Sequence, residues 1–298
     1  MRDPEKGSLV RMEKRGAIGI VWLDHPPVNV LSGSVLDQLS ARLDDLEADL
    51  TVRSVVLASA VERTFAAGAN ILEMSEMGPR EAQIHGAKGQ AVTRRLERLP
   101  LPVIAAVHGG CFGGGCEIVE ACDFVFASDD AVFGQTEVNL GIMPGWGGTQ
   151  RLPLRIPPQE ARAWVYTGKK VAAPEALTCG LVFRVVPRDQ LLAEALRFAT
   201  ELAGKSPLAL AAAKFAMNQA IDPDFDHRLA AELSIWERMF GTLDQREGMR
   251  AFLEKRPFVP SDRTMWESQS RGFPWARRIR RRSHHGPRRR RVTPNSKR

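Results

Sequence analysis

The sequence has no apolar run near the roughly 18 residues that a membrane-spanning helix needs. Its first 15 residues are polar and include Asp3, Glu5 and Glu13. They lack the apolar segment of a secretion signal, and the acids argue against a transit peptide, so a cytoplasmic protein is expected. Cysteine is scarce. Cys111, Cys116, Cys122 and Cys179 form no C-x-x-C pair, and no histidine stands at zinc-ligand spacing from them. No structural zinc or other metal site is expected, and the three cysteines in an apolar stretch read as buried free thiols. Three nucleotide and nucleophile signatures are also missing: G-x-G-x-x-G, G-x-x-x-x-G-K-[ST] and G-x-S-x-G. A dinucleotide oxidoreductase, a P-loop NTPase and an ordinary serine hydrolase each lose their main signal.

What is present suits a folded enzyme. Hydrophobic residues make up 44% of 298 positions, enough for a sizeable core. The net charge of +7 divides unevenly: residues 264–298 hold +11, which leaves −4 on the body. Short runs of β-branched and apolar residues predict strands over 17–23, 54–58, 102–107, 124–127 and 182–186, with 132–133 extended. Helical spacing of apolar residues predicts helices over 34–50, 80–99, 116–122, 190–203, 207–221, 226–240 and 245–255. Residues 144–151 read as a glycine-rich turn. Strands alternate with helices early and helices dominate late, which implies an α/β core, residues 1–190, and a helical region, residues 191–262. Periodicity stops after about residue 262, and residues 263–298 read as a basic, disordered tail.

Two features carry chemistry. Gly113-Gly114-Gly115 opens a helix directly after a strand. The first backbone N–H groups of a helix are unpaired, and without β-carbons a ligand oxygen can approach them. Such a turn either holds an oxyanion or packs a strand tightly against a helix. Glu117 and Glu137 each stand beside a glycine-rich turn in apolar surroundings. A carboxyl group so placed must be paired, protonated or exposed, and two in unlike settings can divide acid and base roles. Taken singly, either glutamate reads rather as a solvated or salt-bridged residue.

Four ordered blocks give these residues a context: FAAGANILEM over 65–74, PVIAAVHGGCFGGGCEIVEACD over 102–123, FGQTEVNLGIMPGWGGTQRL over 133–152 and REGMRAFLEKR over 246–256. Together they resemble the crotonase, or enoyl-CoA hydratase/isomerase, superfamily over about residues 8–260. The resemblance implies a spiral of ββα units with a C-terminal helical trimerisation region. It implies reversible hydration of trans-2-enoyl-CoA, an acyl-CoA thioester as substrate with no cofactor, and a homotrimer or homohexamer. By the same resemblance the backbone N–H groups of Ala69 and Gly114 form the oxyanion hole. Glu117 activates water, and Glu137 delivers the α-proton. Ala67, Gly68, Asn70, Ile71 and Leu72 line the CoA pocket, and Phe252 and Lys255 reach CoA on a neighbouring subunit. Asn70 stands where the family more often has Asp. Trp146, bulky in the turn after Glu137, narrows the acyl pocket toward short chains.

Two rival readings stand beside the hydratase. One is a double-bond isomerase of the same fold, against which the pair of glutamates counts, since family isomerases often keep only the second. The other is an RNA-binding protein with a hydratase-like body. It rests on the arginine runs at 277–282 and 288–291, which would neutralise phosphates.

Overall fold

A computed structural model describes residues 7–219, 227, 233, 236, 239 and 242–261. The basic tail from residue 263 lies outside the described residues. Of the helix expected over 226–240, only His227, Leu233, Trp236 and Met239 are described, all helical.

The principal sheet has six strands. In spatial order they are β1 (Val10–Arg15), β2 (Ile18–Leu23), β4 (Ser54–Ser59), β7 (Val103–Val107), β9 (Phe124–Ser128) and β12 (Arg184–Val186). β1 and β2 form an antiparallel pair, and every later neighbour is parallel. Composition explains the interior strands. β4 and β7 are buried at every residue, as parallel strands covered on both faces must be. β1 is an unexpected strand. Its sequence VRMEKR carries too many charges to read as one, and it forms at the sheet edge, where one side faces solvent.

A second sheet runs in step with the first. β5 (Thr64–Ala66), β8 (Gly110–Phe112) and β10 (Val132–Gly134) lie side by side, with β11 (Val171–Ala172) beyond β10. A third, two-stranded ladder pairs β3 (Val30–Leu31) with β6 (Gly68–Ala69). Each of β4, β7 and β9 is followed by a short connection and then by β5, β8 and β10 respectively. Each pair then leads into helix: α3 (Pro79–Arg98) after the first, α4 (Gly114–Glu120) after the second, and a 3-10 turn at Glu137–Leu140 with α5 (Gly148–Arg155) after the third. This is a spiral of ββα units, as expected. Its consequence for function is geometric: three loops distant in sequence leave one sheet side by side.

Helices close the layers. α1 (Gly33–Ala48) is capped by Ser32, which accepts the Val35 N–H, and buries the stripe Val35, Leu36, Leu39, Leu43 and Leu46. Each such leucine contributes roughly 1.5–3 kcal/mol on burial. α8 (Leu191–Ala203) covers the opposite face of the main sheet, with Leu191, Ala195 and Ala199 packed on Ile20, Val56, Ile104 and Phe126. The expected turn at 144–151 is shorter than the sequence suggests, because α5 begins at Gly148. No helix among the described residues is long and apolar enough to cross a membrane.

Candidate active site

The loops after β5, β8 and β10 bring together most of the residues singled out from sequence. After β5 the chain passes Ala67 and turns at Gly68, whose φ of 99° suits glycine alone. A β-carbon there would stand 3.0 Å from the Phe112 carbonyl oxygen and 3.7 Å from the Gly114 nitrogen. The Gly68–Ala69 ladder therefore lies against the start of α4. After β8 the chain reverses at Gly113, with φ 52°, and its N–H donates to the Gly134 carbonyl oxygen at 2.9 Å. That bond ties the second loop to the third. Gly114 is the first residue of α4, so its N–H has no partner inside the helix.

Asn70 ends the first loop as the N-cap of α2 (Ile71–Ser75), its side-chain oxygen accepting the N–H groups of Leu72 and Glu73. An amide oxygen performs this capping as a carboxylate would. Ile71 and Leu72 project outward and are exposed. Ala67 is exposed and Ala69 half-buried. Phe252 and Lys255 are not brought to this cluster within one chain. Phe252 is 83% exposed on the helix Leu243–Leu253. The segment that follows is tied to Arg53, which donates to the carbonyls of Pro260 and Ser261 at the start of β4, the end remote from the β5 loop.

The two glutamates are both buried, and their settings differ. Glu117 lies on α4, and its Oε1 accepts the N–H groups of Trp146 at 2.7 Å and Gly148 at 2.8 Å. Burial is the largest influence and leaves its pKa raised, opposed by these two N–H groups and by the charge of Arg151. Arg151 is itself steadied by Glu97 at 3.1 Å. Glu137 opens the 3-10 turn, and among the described residues neither of its carboxyl oxygens has a hydrogen-bond partner. Burial, reinforced by the negative charge of Glu117, pushes its pKa up to about 7. A β-carbon on Gly113 would lie 3.3 Å from Glu137 Oε1, so this carboxyl group rests against the loop that enters α4. The cluster thus holds a carboxyl group braced by peptide donors, a carboxyl group poised to carry a proton near neutrality, and the helix-opening N–H of Gly114.

Trp146 fills the space between α3 and α4. A β-carbon on Gly89 would meet its ring at 2.3 Å, and one on Gly114 would meet it at 2.4 Å. Its carbonyl oxygen accepts the Thr93 hydroxyl at 2.8 Å, and its ring centre lies 5.5 Å from that of His85. Sequence reasoning marked Trp146 for its bulk and missed its main-chain role as a donor to Glu117. It also missed Glu120 and Gln135, both fully buried and hydrogen-bonded to each other at 2.6 Å. The signal was available: Glu120 sits one helical turn beyond Glu117 in the same apolar stretch.

Comparison with known proteins identifies the family. The family model described as enoyl-CoA hydratase/isomerase matches residues 13–263. The chain is 41% identical to the short-chain-enoyl-CoA hydratase of Clostridium acetobutylicum over 83% of its own length and 95% of that protein's. It is 39% identical to the crotonyl-CoA hydratase of Syntrophomonas wolfei, covering 82% of this chain and 95% of that one. Among solved structures, the enoyl-CoA hydratase of Bacillus anthracis superposes with a TM-score of 0.81 at 34% identity, covering 85% of this chain and 99% of the other.

Proposed function

The chain belongs to the enoyl-CoA hydratase/isomerase family, and from that premise we propose that it hydrates short trans-2-enoyl-CoA thioesters to 3-hydroxyacyl-CoA, an activity of fatty-acid metabolism. The unlike surroundings of Glu117 and Glu137 beside the Gly114 N–H carry this reading. The thioester carbonyl oxygen accepts the N–H groups of Gly114 and Ala69. Glu117, ionised and fixed by two peptide donors, takes a proton from water as the water oxygen bonds to the β-carbon. The double-bond electrons move toward the thioester, and the resulting enolate oxygen is held in the oxyanion hole, where each donor is worth roughly 3–4 kcal/mol. Glu137 then delivers its proton to the α-carbon, and exchange with solvent resets the pair. The reaction draws only on water and the thioester.

Trp146 sets the chain length. Its ring abuts Gly114, the residue whose N–H polarises the carbonyl, so it walls the acyl pocket close to the reacting carbons. The names of the two relatives, short-chain and crotonyl-CoA hydratase, support this. Ala67, Gly68, Asn70, Ile71 and Leu72 form the rim for CoA. Phe252 and Lys255 serve CoA on a neighbouring copy in a homotrimer or homohexamer, a role that the exposure of Phe252 supports.

The test follows loss of the enoyl-thioester absorbance. Crotonyl-CoA is expected to be hydrated with a kcat/KM roughly tenfold or more above that of a ten-carbon enoyl-CoA, and Trp146→Ala is expected to narrow that ratio. No turnover of crotonyl-CoA would sink the hydratase reading. An unchanged ratio in Trp146→Ala would sink the role of the tryptophan alone.

A further inference from the structure

One buried acid has no part in the chemistry above. Glu120 ends α4 one turn beyond Glu117 and is fully buried. Its Oε1 accepts from Gln135 Nε2 at 2.6 Å, while its Oε2 has no hydrogen-bond partner among the described residues. No cation pairs with it among the described residues. Of the charged groups on the elements packed around it, Arg151 pairs with Glu97 and Lys214 with Asp123, while Arg155 donates to the Cys122 carbonyl and its charge opposes, without overcoming, the effect of burial. Glu117 and the thiol of Cys116 complete its surroundings on α4. An ionised carboxylate in this setting would be both desolvated and repelled by Glu117.

Gln135 leads back to the site. A β-carbon on Gly148 would stand 2.6 Å from Gln135 Nε2, 3.0 Å from Glu117 Cγ and 3.1 Å from Glu117 Oε1. The Gln135 amide and the Glu117 side chain thus close on the same glycine, whose N–H donates to Glu117.

We propose that Glu120 is a positioning residue for Glu117: as an uncharged carboxylic acid it holds the Gln135 amide against Gly148, and the Gly148 N–H then fixes the Glu117 carboxylate. The inference rests on the reading of Glu117 as the base. Because Glu120 stays neutral, the negative charge of this part of the site resides on Glu117. Burial, then the charge of Glu117, pushes the Glu120 pKa up to about 8.

Three proteins test this: wild type, Glu120→Gln and Glu120→Leu. Gln is neutral and still accepts from Gln135, whereas Leu fills the volume and accepts nothing. Glu120→Leu is expected to lower kcat on crotonyl-CoA roughly tenfold with KM within about twofold, and Glu120→Gln to restore kcat to within about twofold of wild type. Wild-type kcat in Glu120→Leu, or equal damage in both variants, would overturn the proposal. A second arm needs no substrate. The folded pKa is raised, so wild-type stability relative to Glu120→Gln is fully present below the unfolded pKa near 4.5 and is lost as pH rises toward 8. The melting-temperature advantage of Glu120→Gln is expected to widen by several degrees between pH 5 and pH 8 and to level off above that. A difference that does not change with pH would overturn the neutral state of Glu120. If the wild type hydrates no enoyl-CoA, the functional reading fails, and this second arm still decides whether Glu120 is held as a neutral acid.

Discussion

The loop that holds Glu117 and the turn that holds Glu137 are built to opposite rules. Around Glu117 the hydrogen-bond donors come from the backbone: two peptide N–H groups converge on one carboxylate oxygen, and Gly148 leaves room for them. Around Glu137 no other described residue donates a hydrogen bond to either carboxyl oxygen. Burial is common to the two; the peptide donors and the charge of Arg151 favour ionised Glu117, while the charge of Glu117 disfavours ionised Glu137. A carboxylate with peptide donors can remain ionised out of water, whereas one without them keeps its proton until about neutral pH. The same residue type therefore serves as base in one place and as acid in the other.

Removing either carboxyl group should have the largest effect. Glu117→Gln and Glu137→Gln are each expected to cut hydration of crotonyl-CoA by roughly 10²–10⁴-fold with the circular dichroism spectrum unchanged. A variant at the wild-type rate would remove that glutamate from the chemistry. A smaller effect is expected from Gly148→Ala, which alters the setting of Glu117 and leaves that of Glu137 alone. Its β-carbon would lie within 3.1 Å of three side-chain atoms, on Gln135 and Glu117, so the Gln135 amide, the Glu117 carboxylate or the bracing glycine must give way. Overpacking of this kind costs about 1–3 kcal/mol, and kcat is expected to fall by one to two orders of magnitude, with KM nearly constant. A large rise in KM with kcat intact would place Gly148 at the substrate rather than behind the base.

The two regions also differ in how well they can be read from sequence. The main sheet was legible because its strands are continuous apolar runs, and the helices over 33–48, 79–98 and 191–203 because their apolar stripes are long. β5, β6, β8 and β11 escaped periodicity reading. Strands of two or three residues hold too few positions to show an alternation. β1 escaped because edge strands tolerate charge. At the site, the glycines and glutamates were visible as residue types. Their division of labour was not, since the donors to Glu117 are backbone groups of Trp146 and Gly148 and have no side-chain signature. Glu120 was passed over because a single acid on a short helix looks like a solvated one until its burial is known.

The division of charge between the two glutamates can be observed without catalysis. Infrared difference spectra of wild type minus Glu137→Gln and wild type minus Glu117→Gln, recorded in heavy water across pH 5 to 9, isolate each carboxyl group. The expected result is a protonated-carboxyl band of Glu137 that disappears near pH 7, with Glu117, which has the two peptide donors that Glu137 lacks, ionised ahead of it. Glu137 already ionised at pH 5, or Glu117 holding its proton to a higher pH than Glu137, would contradict the assignment of acid and base.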